Sequence, residues 1–305
     1  MSLYTRLKPN GKNGFGSVTT AENVTVGLDL RGKTILVTGC NSGLGLETMR
    51  VLALRGAHVL GTARTLEKAE RACTSVAGRA TGFACELADP ASVRASVDSI
   101  KRAAPAVDAV IANAGIMALP KLQQAFGYEL QFFTNHIGHF LLVTGLLDQL
   151  SDDARVVMLS SSAHTRAPKG GIEFDNLSGE RGYSAWSAYG QSKFANLLCA
   201  KELSRQFTGT NKTANAVHPG VIQTNLGRSM NPLFSLGWSV ANPIAMKNVH
   251  EGAATQTFVA THPLAADISG AYFADCNVTS CRSDANDAEL ARRLWDVSRE
   301  IVNGL

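Results

Sequence analysis

Thr34-Ile35-Leu36-Val37-Thr38-Gly39-Cys40-Asn41-Ser42-Gly43-Leu44-Gly45 joins two signals in one stretch. Its first half is a short, continuously apolar and β-branched run, the pattern of a parallel strand buried on both faces. Its second half is glycine-rich, and beyond it Leu46, Met49, Leu52, Ala53 and Leu54 recur at helical spacing. Strand, glycine turn and helix, in that order, let the backbone approach a pyrophosphate. The helix N-terminus adds unpaired N–H groups and a positive dipole end. The spacing is G-x-x-x-G-x-G, not the commoner G-x-G-x-x-G. The stretch predicts nucleotide binding by Gly39, Asn41, Ser42, Gly43, Leu44 and Gly45.

Working outward, apolar runs alternate with helical stretches. Strands are expected at 57–62, 81–85, 107–112, 155–159, 214–217 and 271–274. Helices are expected at 66–76, 90–104, 125–149, 185–208, 249–261 and 286–302. With the strand at 34–38, this predicts an α/β, Rossmann-type, doubly wound, seven-stranded parallel sheet flanked by helices. Residues 1–30, broken by Pro9, Asn10, Gly11, Gly14 and Gly16, read as an N-terminal arm on a single domain of residues 31–305. Thr19 and Glu22 have the spacing of a capping box for a short helix near 20–26.

Bulk properties exclude several classes. The 305 residues are 45% apolar and 18% charged, ordinary for a globular protein. A net charge of +4, dispersed along the chain, argues against nucleic acid and against a membrane surface. No apolar run reaches the roughly 18 residues of a membrane span, and the N-terminus lacks an apolar signal core. Cys40, Cys73, Cys85, Cys199, Cys276 and Cys281 lack metal-type spacing, so no metal is expected. They read as reduced thiols, which makes a cytoplasmic location the expectation.

Ligands of open parallel sheets bind at the C-terminal ends of the strands. After strand 57–62 no acidic residue stands ready for ribose hydroxyls. Arg64 is there instead and suits a 2′-phosphate, which favours NADP(H) over NAD(H). Strand 81–85 leads to Glu86 and Leu87, where a carboxylate could accept from an adenine amino group. Strand 107–112 ends in Asn113-Ala114-Gly115, small enough for a ribose to approach, while Asp108 lies at the wrong end and reads as structural. Strand 155–159 ends in Ser160-Ser161-Ser162, a hydroxyl source for polarising a carbonyl; His164 reads as a loop residue. Tyr189 and Lys193 stand one turn apart on one helix face. Tyrosine, with an ordinary pKa of about 10, is a poor acid–base group at neutral pH, and a neighbouring ammonium is expected to lower it.

Thr38-Gly39-x-x-x-Gly43-x-Gly45, Asn113-Ala114-Gly115, Asn135, Ser161, Tyr189/Lys193 and Pro219-Gly220 together resemble the short-chain dehydrogenase/reductase family over roughly residues 30–302. Asn135-His136-Ile137-Gly138-His139-Phe140, Ser161-Ser162-Ala163-His164, Tyr272-Phe273-Ala274-Asp275-Cys276 and Leu294-Trp295-Asp296-Val297-Ser298 resemble its retinol-dehydrogenase-like branch. The resemblance implies a catalytic tetrad. Tyr189 would exchange the proton, Lys193 would lower its pKa and hold the nicotinamide ribose, and Ser161 would orient the substrate oxygen. Asn135 would kink the long helix and hold a water linked to Lys193. Pro219, Gly220, Val221, Ile222 and Thr224 would contact the nicotinamide. Ala112 stands where the family usually has Asn, and Glu86 where Asp is more usual.

The segment at about 225–248, with Leu226, Met230, Leu233, Phe234, Leu236, Trp238 and Met246, reads as a small apolar lid over a hydrophobic alcohol, aldehyde or ketone. Tyr183 and Trp186 are candidate walls of the same pocket. The leading expectation is an NADP(H)-dependent oxidoreductase for a carbonyl/alcohol pair. A double-bond reductase and a non-catalytic NADP(H) sensor stay open as alternatives. The helices at 125–149 and 185–208 often form dimer faces in relatives. A homodimer is therefore one expectation, with the C-terminal stretch placed to cover the same face.

Overall fold

The computed structural model describes residues 9–222 and 246–305. A four-residue helix, α1 (Ala21–Val24), precedes β1 (Thr34–Thr38), which is buried from Ile35 onward. The chain then alternates: α2 (Gly43–Leu54), β2 (His58–Ala63), α3 (Leu66–Thr74), β3 (Ala80–Ala84), α4 (Pro90–Ala103) and β4 (Val107–Ala112). A small hairpin of β5 (Gln124–Ala125) and β6 (Tyr128–Glu129) leads into α5, residues 130–145. β7 (Leu150–Leu159), α6 (Ala185–Gln206) and β8 (Thr213–His218) follow. The last elements are α7 (Val249–Gly252), α8 (Ala254–Thr261), β9 (Tyr272–Ala274), β10 (Asn277–Val278) and α9 (Ala288–Asn303).

The main sheet runs β10-β9-β8-β7-β4-β1-β2-β3. β1 steps to β2 and β3 on one side, and β4 starts the second half on the other. The order therefore reverses between β1 and β4, and their C-terminal ends frame the crevice where such sheets take ligands. Alternate residues feed two apolar layers. Leu36, Leu60 and Val110 face the layer with Phe140, Phe194 and Trp295. Ile35, Val37, Val59 and Ile111 face the layer with Met49, Leu52 and Phe258. Burial on both faces is why β1 reads as an unbroken apolar run.

Seven strands are parallel, as expected, and an eighth lies antiparallel at the edge, with Asn277 opposite Ala274 and Val278 opposite Phe273. Its turn is Asp275-Cys276, both at positive φ (52° and 61°). That geometry normally calls for glycine or asparagine, so nothing in the sequence marks the hairpin. The helix expected from residue 125 begins at Leu130 instead, because Phe126 and Gly127 (φ 53° and 82°) close the β5–β6 turn. The Glu129 carboxylate accepts from Phe132 N–H at 2.7 Å and starts the helix. Within α5 the Phe133–Ile137 segment widens to a π-turn.

The capping box of α1 is Thr20 with Asn23, not Thr19 with Glu22. Thr19 is occupied one turn earlier, its hydroxyl accepting from Gly16 N–H at 2.8 Å. The arm is anchored by Phe15, whose ring packs edge-on against Phe258 at 5.5 Å, and by Asn13, which donates to Cys276 O at 2.8 Å. The helix expected at 249–261 is broken into α7 and α8 at Ala253. Asp108 accepts from Thr34 N–H at 2.7 Å and from Lys33 Nζ at 2.9 Å, a structural tie at the far end of the strands. No helix among the described residues is long and apolar enough to cross a membrane.

Candidate active site

The turn after β1 is a cradle that side chains would fill. Gly39 and Gly43 have φ of 69° and 54°. A Cβ on Gly45 would lie 2.2 Å from Gly39 O, and one on Gly39 would lie 3.0 Å from Ala114 Cβ. Asn41 and Ser42 are exposed on the turn and Leu44 is buried beneath it. Ser42, the N-cap of α2, makes no side-chain cap, so the first N–H groups of α2 stay open to an anion. The floor is braced from β4: Asn113 Nδ2 donates to Thr38 O at 2.7 Å, and Ala114 N–H donates to Thr38 Oγ1 at 2.9 Å. These residues fit a dinucleotide's pyrophosphate.

Arg64 is exposed beyond β2, with no hydrogen-bond or ion-pair partner among the described residues. Glu86 is half-buried and its carboxylate already accepts from Ala88 N–H at 3.2 Å. Leu87 is buried, and its carbonyl abuts Gly138, where a Cβ would approach to 2.2 Å. Gly115 is the open floor of the central crevice: a Cβ there would lie 2.9 Å from Asn135 Oδ1 and 3.4 Å from Lys193 Nζ. Gly220 (φ 99°) packs on the Lys247 chain, and Val221 is exposed. Ile222 bridges to Lys247, which returns the chain to the domain. Thr224 and the apolar residues from Leu226 to Trp238 lie outside the described residues.

The π-turn in α5 brings Asn135 to the crevice. Its Oδ1 accepts from Ile116 N–H at 2.8 Å, and its Nδ2 donates to Ile116 O and to Ser192 Oγ, both at 2.9 Å. α6 carries Tyr189 and Lys193 on its buried face. Lys193 Nζ donates to Leu159 O at 3.1 Å and lies 5.8 Å from the centre of the Tyr189 ring. The three serines divide the work. Ser160 Oγ donates to Lys193 O at 2.8 Å, and Ser162 is exposed. Ser161 interacts with the Tyr189 hydroxyl.

The expected lowering of the tyrosine pKa is not what the site shows. Burial pushes Tyr189 up to about 12, against a smaller downward pull from Ser161. Burial also brings Lys193 down to about 8. The ammonium lies over the ring, not at the hydroxyl, so desolvation wins over charge attraction. Trp186 stands edge-on to Tyr189 at 6.2 Å with the Arg166 guanidinium 4.9 Å over its ring. Tyr183 is turned inward, donating to Leu119 O at 2.7 Å.

Several residues at the site gave no signal of their own. His139 is fully buried between Thr38 Oγ1 (2.8 Å) and Asn135 O (2.9 Å). The Asn135 carbonyl can only accept, so His139 Nδ1–H donates to it, and in the neutral ring Nε2 accepts from the Thr38 hydroxyl. Its signals were its place four residues after Asn135 and within the stretch that resembles the retinol-dehydrogenase-like branch. Gln256 donates to Thr48 Oγ1 (2.6 Å) and to Asn113 Oδ1 (3.2 Å), a link no local pattern announces. Lys247 is buried and pairs with Asp275 at 2.6 Å. Among the described residues no group of His, Cys, Asp and Glu could hold a metal ion.

The family model for short chain dehydrogenases matches residues 33–232. The chain belongs to the short-chain dehydrogenase family. Within it, the chain is 42% identical over 312 residues to Short-chain dehydrogenase TIC 32 A, chloroplastic, of Brassica napus, spanning 97% of this chain and 96% of that protein. It is 37% identical over 303 residues to human retinol dehydrogenase 14, spanning 90% and 88%. These relatives place it in the retinol-dehydrogenase-like branch. An uncharacterized protein from Mycobacterium paratuberculosis superposes with a TM-score of 0.74 at 33% identity, over 90% of this chain and 95% of that one. A short chain dehydrogenase from Burkholderia cenocepacia in complex with NADP superposes with a TM-score of 0.65 at 25% identity, over 80% and 96%. This short-chain dehydrogenase is an oxidoreductase by family.

Proposed function

We propose that the protein is an NADP(H)-dependent oxidoreductase that interconverts a hydrophobic alcohol and its aldehyde or ketone. The observation that carries this is that Asn135 and Lys193 lie beside Gly115, at the crevice where β1 and β4 end, with Tyr189 next to Lys193 and Ser161 next to Tyr189. NADPH supplies a hydride when bound. The residues from Gly39 to Gly45 and the first turn of α2 would hold its pyrophosphate, and Arg64, exposed and without a partner among the described residues, its 2′-phosphate. The neighbour solved with NADP supports that choice.

Tyr189 and Ser161 address the substrate oxygen. With its pKa held at about 12, Tyr189 keeps its proton at neutral pH and can donate it to a carbonyl oxygen as that oxygen gains charge. Ser161 supplies a second hydrogen bond to the same oxygen. Lys193, at about 8, is mostly charged at neutral pH, and its position beside Gly115 suits ribose hydroxyls. Asn135 fixes the loop at Ile116 and the face of α6 at Ser192, so the crevice floor and the catalytic helix keep register. A cytoplasmic setting is part of the proposal and rests on six free thiols.

The test is NADPH oxidation with a panel of apolar aldehydes and ketones, with product identification to separate carbonyl from alkene reduction. Tyr189→Phe should lower kcat by roughly 100-fold or more while NADPH still binds by fluorescence titration. Undiminished kcat would refute the mechanism. NADPH binding without turnover of any carbonyl would leave a sensor.

A further inference from the structure

We propose that His164 and His218 clamp the two ends of the Ser161–Ser162 peptide unit and are positioning residues for the Ser161 hydroxyl. This rests on the reading of Ser161 as a catalytic residue. On the carbonyl side, Ser161 O lies 2.6 Å from His164 Nδ1 and also accepts from His164 N–H at 3.0 Å. On the amide side, Ser162 N–H donates to His218 Nδ1 at 3.2 Å. One histidine comes from the turn after β7, the other from the end of β8.

The partners fix the tautomers. His164 Nε2 receives the backbone N–H of Arg282 at 3.2 Å, and a backbone N–H can only donate. His164 Nε2 therefore carries the lone pair and Nδ1 the proton, which is donated to Ser161 O. His218 Nδ1 receives an N–H, so in the neutral ring its proton is on Nε2. Two imidazoles in opposite tautomers thus hold opposite ends of one amide. His164 is 3% exposed, and burial keeps it below its ordinary pKa, so the ring stays neutral.

The geometry transmits to the hydroxyl. Ser161 Oγ accepts from Ala163 N–H at 3.1 Å, one residue past the clamped peptide. Rotation of that peptide would move Ala163 and with it the hydroxyl facing Tyr189. On the other side Ser160 is already fixed, donating from N to Val217 O (2.9 Å) and from Oγ to Lys193 O (2.8 Å). Arg282 holds the outer end: its guanidinium donates to Ala167 O (2.7 Å) and Pro168 O (3.0 Å) and lies 4.8 Å over Phe194, the neighbour of Lys193. A displacement of about 1 Å at a catalytic group costs up to roughly 100-fold in rate, so a clamp on this peptide bears directly on turnover.

Paired substitutions in the full chain separate the two bonds of each ring. His164→Asn keeps a donor at the Nδ1 position and loses the acceptor for Arg282; His164→Gln does the reverse. His218→Asn keeps an acceptor at the Nδ1 position; His218→Leu removes it. The Asn variants should stay within about threefold of wild-type kcat, and His164→Gln and His218→Leu should lose about tenfold or more, with the NADPH Kd unchanged. Equal kcat within both pairs, or losses that follow NADPH affinity, would overturn the clamp. Nitrogen-15 NMR of histidine-labelled protein gives a readout free of activity. It should show His164 as the Nδ1–H and His218 as the Nε2–H tautomer, and the reverse at either ring overturns the proposal. Ser161→Ala is the control: if it alone keeps full activity, the catalytic reading of Ser161 fails. If it loses activity while the histidine pairs do not split, only the clamp fails.

Discussion

At the scale of single residues, the site depends on burial more than on charge pairing. Tyr189 and Lys193 were recognisable from spacing, yet their electrostatics were not. A sequence shows that an ammonium is near a phenol but not that both lie out of water, and here desolvation pushes the phenol up and the ammonium down. Arg64 is the converse case, a surface cation with no partner among the described residues. Arg64→Asp should invert or erase the preference for NADPH, with kcat/KM for NADPH falling about tenfold or more against NADH. An unchanged ratio in steady-state kinetics would remove Arg64 from the cofactor site. His164 shows where spacing arguments stop. Read as a loop residue, it is buried, and it joins Ser161, three residues back, to Arg282, which is remote in sequence.

At the scale of elements, legibility followed local chemistry. β1 and its turn were readable because two-sided burial leaves a continuous apolar run and because Gly45 has no room for a Cβ. β4 was placed to the residue, at Val107–Ala112. The β5–β6 and β9–β10 hairpins escaped notice because Phe126, Asp275 and Cys276 take left-handed conformations that side chains rarely adopt. The surrounding contacts, not local preference, hold them there: Phe126 stacks on Phe133 at 5.5 Å, and Cys276 N–H donates to Thr255 Oγ1 at 3.2 Å. α9 has a clearer logic. Its apolar face lies over α6 and the π-turn, with Trp295 edge-on to Phe140 at 4.7 Å. It covers the face where a homodimer was one expectation. Trp295→Ala should cost about 3–5 kcal/mol, read as a lower urea midpoint with unchanged slope. A midpoint equal to wild type would mean that α9 is not part of the cooperative core.

At the scale of the whole molecule, two fully buried histidines tie stability to pH. Burial takes His136 from 6.5 down to about 3 and His139 from 6.5 down to about 4. The unfolded chain gains these protons near pH 6.5, whereas the folded chain does not until far lower pH. Their contribution is therefore complete above pH 6.5 and is lost as the pH falls, on the order of 2 kcal/mol from each by pH 5. Thermal unfolding should give a lower Tm at pH 5 than at pH 7, and a flat Tm across that window would contradict the assignment.

The direction in which a chain is synthesised gives the Arg282 contacts a consequence of another kind. The brace of the glycine turn, Asn113 on Thr38, uses residues that emerge in the first part of translation. The turn that carries Ser161 is contacted by His218 and then by Arg282, and Arg282 leaves the ribosome among the last residues. Nascent chains that stop short of Arg282 would lack the outer tie of His164 and, with it, all of α9. In this protein the outer tie of the serine turn and the packing of Trp295 on Phe140 both come from the tail, so the last residues to be made secure the turn and the core together.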